Sequence, residues 1–263
     1  MAGTPRAAHT ADHEQGGGEP GTNDHTAPGG PVTLVIVNAG VSDPSSTRLL
    51  ADRIAQKTID ALRAAGTTAT VRSIDLGPLA TDIAQGIVSG MLNPKVQSVM
   101  ELLAGADAVI AATPVYKAAV SGLFKSFVDL VDNDLLIARP VVLAATGGSA
   151  RHAMVVDEHL RPLFAFLRAL PMPTSLYATP EDWGSADLGK RIDRAAQELS
   201  VLLRSGAGRQ IADRNWGDYQ HQFGGNATAA ERSVDDVDFD TDLMRLATGG
   251  GAPVRKEEPR RDH

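Results

Sequence analysis

A loop rich in hydroxyl side chains carries the clearest chemical signal in this sequence. It begins at Gly40, ends at residue 48 and follows a short apolar run; its hydroxyls belong to Ser42, Ser45, Ser46 and Thr47. Free backbone amides and the positive end of a helix dipole attract anions, and hydroxyl groups would complete the shell around a phosphate. The loop therefore predicts a phosphate site, unless Ser45 or Ser46 is only the N-cap of a helix.

Two further loops of small and polar residues follow apolar runs later in the chain. Residues 113–117 (Thr-Pro-Val-Tyr-Lys) include Pro114, which favours an extended backbone. Residues 146–148 (Thr-Gly-Gly) offer backbone amides and little side-chain bulk, which suits contact with a flat polar ring system. His152 lies just beyond them, either as a ligand contact or as a residue at the start of a helix.

The elements that must position these loops alternate between strand and helix. The predicted strands are 32–37, 69–74, 108–112, 140–145 and 175–178; the predicted helices are 46–65, 79–106 in pieces, a segment marked by Val120, Phe124, Phe127 and Val131, then 154–170 and 186–203. Such alternation predicts a doubly wound five-stranded parallel sheet with right-handed crossovers. In strand order 2-1-3-4-5 the winding reverses between the first and third strands, where ligands bind. All three loops would converge on that crevice.

The composition excludes several classes of function. No cysteine occurs among the 263 residues, which excludes disulfides, thiolate nucleophiles and cysteine-ligated metals, and we expect no metal site. The net charge of −7 and the lack of a basic cluster interleaved with aromatics argue against a nucleic-acid partner. No stretch approaches the roughly 20 apolar residues of a membrane span, so we expect no membrane association and a cytoplasmic protein. The absence of GxGxxG and GxxxxGK motifs argues against the usual dinucleotide fold and against a nucleoside triphosphatase.

The three loops also carry a resemblance to a known family. Residues 112–125 (Ala-Thr-Pro-Val-Tyr-Lys-Ala-Ala-Val-Ser-Gly-Leu-Phe-Lys), 145–148 (Ala-Thr-Gly-Gly) and 152–162 resemble the NAD(P)H-dependent FMN reductases that supply reduced flavin to monooxygenases. The loop 38–48 and residues 181–184 (Glu-Asp-Trp-Gly) are similar to the reductases that accompany luciferase-like monooxygenases.

This resemblance covers residues 32–185 and implies a flavodoxin-like fold with FMN and NAD(P)H as cofactors. It places the FMN phosphate in the first loop, at Ser42, Ser45, Ser46 and Thr47. The candidate ring contacts are Thr113, Pro114, Val115, Tyr116, Lys117, Thr146, Gly147 and Gly148, although Tyr116 could equally be a packing aromatic. Many relatives have an arginine early in the phosphate loop where this sequence has Asp43-Pro44. Arg48 is the candidate replacement, with a surface ion pair as its alternative role.

The reaction implied is hydride transfer from the nicotinamide to the flavin, which needs no catalytic side chain. A quinone or azo-dye reductase that retains FMN is one alternative. A flavodoxin-type electron carrier is another, although the aromatic content of 4% argues against it. The resemblance further implies a homodimer or homotetramer and a flavin-dependent monooxygenase as a possible partner.

The two ends of the chain lack the alternating pattern. Residues 1–31 are rich in Gly, Pro and Thr, so we predict a disordered N-terminal extension before an FMN-binding domain over 32–204. Residues 205–263 fit no sixth crossover, and their apolar anchors are Trp216, Tyr219, Phe223, Phe239, Leu243, Met244 and Leu246. We predict a C-terminal segment that is either an arm on a neighbouring subunit or partner, or a partly disordered tail.

Overall fold

Apolar runs form a parallel sheet in the computed structural model, which describes residues 31–216. The described residues form seven strands: β1 (Val32–Asn38), β2 (Ala69–Asp75), β3 (Ala108–Tyr116), β4 (Ala119–Val120), β5 (Pro140–Thr146), β6 (Leu170–Pro171) and β7 (Leu176–Ala178). Parallel pairing gives the order β2-β1-β3-β5, with β6 and β7 both paired to the far side of β5. The predicted order 2-1-3-4-5 is therefore confirmed, with the fifth position divided between two short strands. The two-residue strand β4 instead pairs antiparallel with the end of β3.

Helices cover both faces of the sheet, as expected for strands buried on both sides. They are α1 (Ser46–Ala64), α2 (Ala80–Ser89), α3 (Pro94–Ala104), α4 (Gly122–Val128), α5 (Arg161–Phe166), α6 (Ala186–Ser205) and α7 (Ala207–Trp216). On one face α1 and α6 share a buried cluster with Leu34 and Ile36 of β1. On the other face α3, α4 and α5 share a buried cluster with Val35 and Val37. Successive residues of β1 thus serve opposite cores, as the period of a strand requires.

Two predicted helices differ from the observed ones. Val120 does not belong to the helix after the third strand: it lies in β4, and α4 starts only after Ser121, whose side chain accepts a hydrogen bond from the Phe124 N–H at 3.2 Å. The predicted helix 154–170 is divided into a π-helical turn at Val156–Leu160 and the short α5. Pro162 lies in the first turn of α5, where the missing N–H costs no intrahelical bond.

The C-terminal end of the described chain is more helical than predicted. Helix α6 continues to Ser205, turns at Gly206 with φ of 64°, and is followed by α7. Helix α7 belongs to the segment predicted as an arm or tail; residues 217–263 of that segment, and residues 1–30 of the predicted N-terminal extension, lie outside the described residues. No helix in the described range is long and apolar enough to cross a bilayer.

Candidate functional site

A cleft of about 430 Å³ opens at the carboxyl ends of β1, β3 and β5. Its volume is typical of small-molecule sites, and its position is the point where the winding of the sheet reverses. Ten of the residues selected from the sequence line it: Gly40, Ser42, Ser46, Thr47, Pro114, Val115, Tyr116, Thr146, Gly147 and Gly148. Five more residues complete the lining: Val41, Ala178, Thr179, Pro180 and Trp183.

The first loop is tied at both ends to one carboxylate, that of Asp75 on β2. At the start of the loop the Asn38 Nδ2 donates to Asp75 Oδ1 at 2.9 Å, and Asn38 Oδ1 accepts from the Gly40 N–H at 3.0 Å. At its end the Arg48 guanidinium binds both Asp75 carboxylate oxygens, at 2.9 and 2.8 Å. A loop with both ends fixed presents its amides in a defined direction.

Gly40 is required by the close packing inside this loop. A Cβ atom on residue 40 would clash with the Ser45 Oγ and would lie 2.9 Å from the Thr47 Cβ and 3.1 Å from the Asn38 Oδ1. Real Cβ atoms essentially never approach other atoms closer than 3.0 Å. The loop can therefore curl over the start of α1 only because residue 40 has no side chain.

The N-terminus of α1 provides the anion-binding groups of the cleft. Ser45 is its N-cap: the Ser45 Oγ accepts from the Arg48 N–H at 3.2 Å, and the Ser45 carbonyl accepts from the Leu49 N–H at 3.0 Å. The first amides of a helix have no intrahelical acceptor, and here they belong to Ser46 and Thr47, both of which line the cleft. The positive end of the helix dipole thus faces a concave surface that carries hydroxyl groups.

Thr47 also joins the first loop to the third. Its hydroxyl lies 2.7 Å from the Thr146 hydroxyl, and both side chains are buried. This hydrogen bond connects the first turn of α1 to the carboxyl end of β5 at the cleft. The relative position of the two loops is therefore fixed by a direct contact.

The second loop forms a hairpin between β3 and β4. Val115 pairs with Val120 and Tyr116 with Ala119, so Lys117 and Ala118 make the turn, with φ of 51° and 62°. Positive φ at both central residues defines the tight hairpin turn that usually contains Asn-Gly. The side chain of Tyr116 is 54% exposed and forms one wall of the cleft.

The base of this hairpin is held by a buried pair of hydroxyls. The Thr113 Oγ1 donates to the Ser121 Oγ at 3.2 Å and accepts from the Ser121 N–H at 3.1 Å. Thr113 is fully buried beneath the hairpin and does not line the cleft. It positions the loop from below.

The third loop packs against Tyr177 of β7. A Cβ on Gly147 would clash with the Tyr177 hydroxyl, and that hydroxyl donates to the Ser149 carbonyl at 2.8 Å. Burial, together with the nearby Asp182 carboxylate, raises the pKa of Tyr177 above the already basic value of an ordinary tyrosine. Tyr177 thus holds the Gly-Gly turn in place from behind.

The wall opposite the hairpin is the short helical turn at Pro180–Gly184. The Asp182 carboxylate accepts from the Thr179 N–H at 2.8 Å and from the Thr179 hydroxyl at 2.9 Å. These bonds, the backbone one first, hold the pKa of Asp182 below its usual range. Trp183 faces the cleft, and the Arg53 guanidinium lies over its ring, 4.9 Å from the centroid.

Five of the residues selected from the sequence do not line the cleft: Ser45, Arg48, Thr113, Lys117 and His152. Arg48 is engaged by Asp75 and, at 2.8 Å, by Asp52, which is its alternative role as a surface ion pair. Ser45 is likewise a cap and Thr113 a buried support. The wall at 178–183 was missed as a site although the carboxyl end of the predicted strand 175–178 marked its position.

The cleft is uncharged. Within the described part of the chain, no Asp, Glu, Lys, Arg or His lines it, and no group of three or more potential metal ligands is formed. Its donors are amides and hydroxyls, and three glycines keep the backbone close to any occupant. These features fit a phosphorylated ligand with a flat polar ring, such as FMN.

The fold and the cleft together define a nucleotide-binding α/β protein of the flavodoxin-like class. Comparison with known proteins agrees: residues 32–184 match the model of the NADPH-dependent FMN reductase family. The chain belongs to this family and is an oxidoreductase that uses FMN and NAD(P)H.

Individual relatives support this assignment along the same region. An NADH-dependent FMN reductase, SfnE, of Pseudomonas putida is 36% identical over 66% of this chain and 93% of its own length. An FMN reductase (NADPH) of Pseudomonas aeruginosa is 34% identical over 66% of this chain and 93% of its own. Among solved structures, an oxidoreductase from Corynebacterium diphtheriae has 40% identity and a TM-score of 0.65, covering 66% of this chain and 98% of its own.

Proposed function

We propose that this chain reduces FMN in the cleft between its three loops and delivers the reduced flavin to a luciferase-like monooxygenase. The observation that carries the proposal is convergence: three loops far apart in sequence contribute ten residues to one uncharged cleft at the switch point of the sheet. The phosphate would lie at the N-terminus of α1, against Ser42, Ser46 and Thr47. The ring would lie between Tyr116 on the hairpin and the Gly147-Gly148 turn.

A bound flavin supplies the redox chemistry by accepting hydride from the nicotinamide, and the protein supplies orientation. The Gly148 amide would donate to the polar edge of the ring, because the Gly147 N–H already donates to the Ala178 carbonyl at 3.1 Å. The hydrogen bond from the Tyr177 hydroxyl to the Ser149 carbonyl keeps this turn in place. Tyr116 would cover the flank of the ring and exclude water from it. No side chain needs to gain or lose a proton, which agrees with a lining that has no titratable group apart from the phenol of Tyr116.

The finer parts of the proposal depend on the sequence resemblance. The motif 112–125 and residues 181–184 support a monooxygenase as the recipient of reduced flavin and a homodimer or homotetramer as the assembly. The absence of cysteine fits the cytoplasm as the place of action. The relatives include both NADH-dependent and NADPH reductases, so both coenzymes belong in the test.

The direct test mixes the FMN-loaded protein anaerobically with NADPH or NADH and follows loss of flavin absorbance. We expect rapid bleaching with at least one coenzyme, followed by passage of reduced FMN through an ultrafiltration membrane. Very slow bleaching would instead indicate an electron carrier. Retention of reduced flavin until a quinone or azo dye consumes it would overturn delivery to a monooxygenase.

The position of the phosphate is tested separately by FMN titration. Ser46→Ala should weaken FMN binding by about 1–3 kcal/mol through the lost hydrogen bond to a charged group. Ser98→Ala is the matched control, because Ser98 is exposed on α3 and its hydroxyl donates to the Pro94 carbonyl at 3.0 Å. Equal affinities of the two variants would show that the phosphate lies elsewhere.

A further inference from the structure

A second concave surface lies on α6, away from the cleft and sharing no residue with it. This α6 groove, of about 560 Å³, has an apolar floor formed by Met172, Pro173, Val201 and Leu202, with Arg194 and Glu198 at its rim. Val201 leaves 57% of its surface exposed there. A concave apolar surface on a folded domain usually marks a site where another segment packs.

The α6 groove and its edge carry a net charge of +1, from Arg194, Arg204 and the Glu198 carboxylate. The Glu198 carboxylate is held in place, since it accepts from the Thr174 N–H at 2.9 Å and from the Thr174 hydroxyl at 2.7 Å. Within residues 31–216 Arg194 forms no ion pair, nor does Arg204, which follows Val201 by three residues and adjoins it on the helix. An occupant should therefore combine apolar side chains with negative charge.

The chain itself contains such a segment. Five of the eight residues 235–242 are Asp, and Phe239, Leu243 and Leu246 recur at intervals of four and three, the spacing of one helix face. We propose that residues 234–246 of the same chain dock in the α6 groove, with their apolar side chains on Val201 and their aspartates beside Arg194 and Arg204.

The connection between the two is short enough to favour this contact. The groove reaches Ser205, and α7 starts at Ala207; its ten residues carry the chain about 15 Å away. Residues 217–233 then provide a linker with a root-mean-square span of about 23 Å if it behaves as a flexible chain. A tether of this length gives an effective concentration in the millimolar range, which favours the groove of the same molecule over that of a second copy.

The cysteine-free chain allows a clean test by disulfide trapping in the full-length protein. Val201→Cys paired with Leu243→Cys should form an intramolecular disulfide under mild oxidation. Val88→Cys paired with Leu243→Cys is the matched control, because Val88 is 89% exposed on α2, which packs on the opposite face of the sheet. We expect trapping at Val201 to be about 10-fold faster or more. Because Val201 also lies nearer than Val88 to the start of α7, the charge-reversal variants decide how much of this difference comes from docking.

Charge reversal completes the test. Arg194→Glu with Arg204→Glu should slow trapping at Val201 by about 3- to 10-fold, whereas Lys95→Glu on α3 should leave it unchanged. Equal trapping rates at Val201 and Val88, or no effect of the reversed arginines, would overturn the proposal. Covalent dimers at Val201 in place of intramolecular disulfides would also overturn it and would identify the groove as an interface between copies.

Discussion

The loops on either side of the cleft are held by opposite means. The loop 38–48 is held by side chains: Asn38 at its start and Arg48 at its end both bind Asp75. The hairpin 115–120 is shaped by its backbone, through positive φ at Lys117 and Ala118, and its base is fixed by one buried pair of hydroxyls. A loop that presents its amides to an anion is held in place by side chains from elsewhere in the fold. The conformation of the hairpin, by contrast, is set by its own backbone.

The largest expected effect comes from breaking the packing of the first loop. Gly40→Ala places a Cβ against the Ser45 Oγ and the Thr47 Cβ, so the amides at the start of α1 must shift. We expect FMN affinity, measured by fluorescence titration, to fall by about 10- to 100-fold, the equivalent of 1–3 kcal/mol of misfit.

Gly189→Ala on α6 is the control for this change, because residue 189 does not line the cleft and a Cβ there meets no atom within 4 Å. It should leave FMN affinity unchanged. Equal losses in the two alanine variants would mean that the packing around Gly40 is not what shapes the site.

A smaller effect is expected from releasing both ends of the first loop without adding bulk. Asp75→Ala removes the acceptor shared by Asn38 and Arg48, and we expect FMN affinity to fall by about 10-fold, because two charge-assisted contacts no longer order the loop. Global stability should fall by about 1–3 kcal/mol, because the amide of buried Asn38 loses its Asp75 acceptor.

Asp52→Ala separates loop ordering from surface charge. It removes a carboxylate of the same sign that binds the same arginine but does not contact Asn38. Affinity close to that of the unmodified protein is expected, measured by the same titration at constant salt. A loss of FMN affinity as large as that of Asp75→Ala would show that neutralisation of the Arg48 charge determines FMN affinity, and that attachment of the loop ends to Asp75 does not.

In the hairpin we expect a substitution that stabilises the protein. Ala118→Gly relieves a left-handed conformation that is unfavourable for residues with a Cβ, so the thermal unfolding midpoint should rise, by a free energy of up to about 1 kcal/mol. Ala119→Gly, one residue on in β4, should lower it by about 0.5–1 kcal/mol. A destabilising Ala118→Gly would mean that side-chain contacts, and not the backbone, hold the hairpin.

The smallest expected effect is the contribution of Asp182, in the wall at 178–183, to the stability of the protein. Its signature is a loss of this contribution at acidic pH. Because the Thr179 N–H lowers the pKa of Asp182, the ionised carboxylate contributes stability above the usual Asp pKa of about 3.9 and loses it as pH falls through the lower folded pKa. The difference in unfolding midpoint between the unmodified protein and Asp182→Asn should therefore be constant from pH 5 to 8 and should shrink below about pH 4. A difference that does not change in acid would contradict this role for Asp182.

Much of the fold was predictable because its signals are local. β-branched runs such as 32–37 and helix stops such as Gly66 recur in the right alternation, and the parallel order follows from connection rules. The turn at Lys117-Ala118 was not predictable, since neither residue is the Gly or Asn that usually marks positive φ. Val120 was therefore assigned to a helix face that starts two residues later.

The site was predictable in position but not in every role. Ser45 and Ser46 are equivalent in sequence as helix caps, and only the folded structure makes Ser45 the cap and places Ser46 in the cleft. Arg48 matched a phosphate partner by position, yet Asp75 lies 27 residues away in sequence, and no local pattern reveals that contact. The wall at 178–183 depends on a three-residue strand that gives a weak periodic signal.

The uncharged lining of the cleft bears on how a ligand leaves it. A site with a buried cation opposite the phosphate would retain an unpaired charge each time it emptied, and that cost would slow departure. Amides and hydroxyls can be rehydrated instead, so in the described cleft the vacated state carries no such penalty. Such a lining suits a flavin that enters oxidised, departs reduced and is exchanged on every turnover.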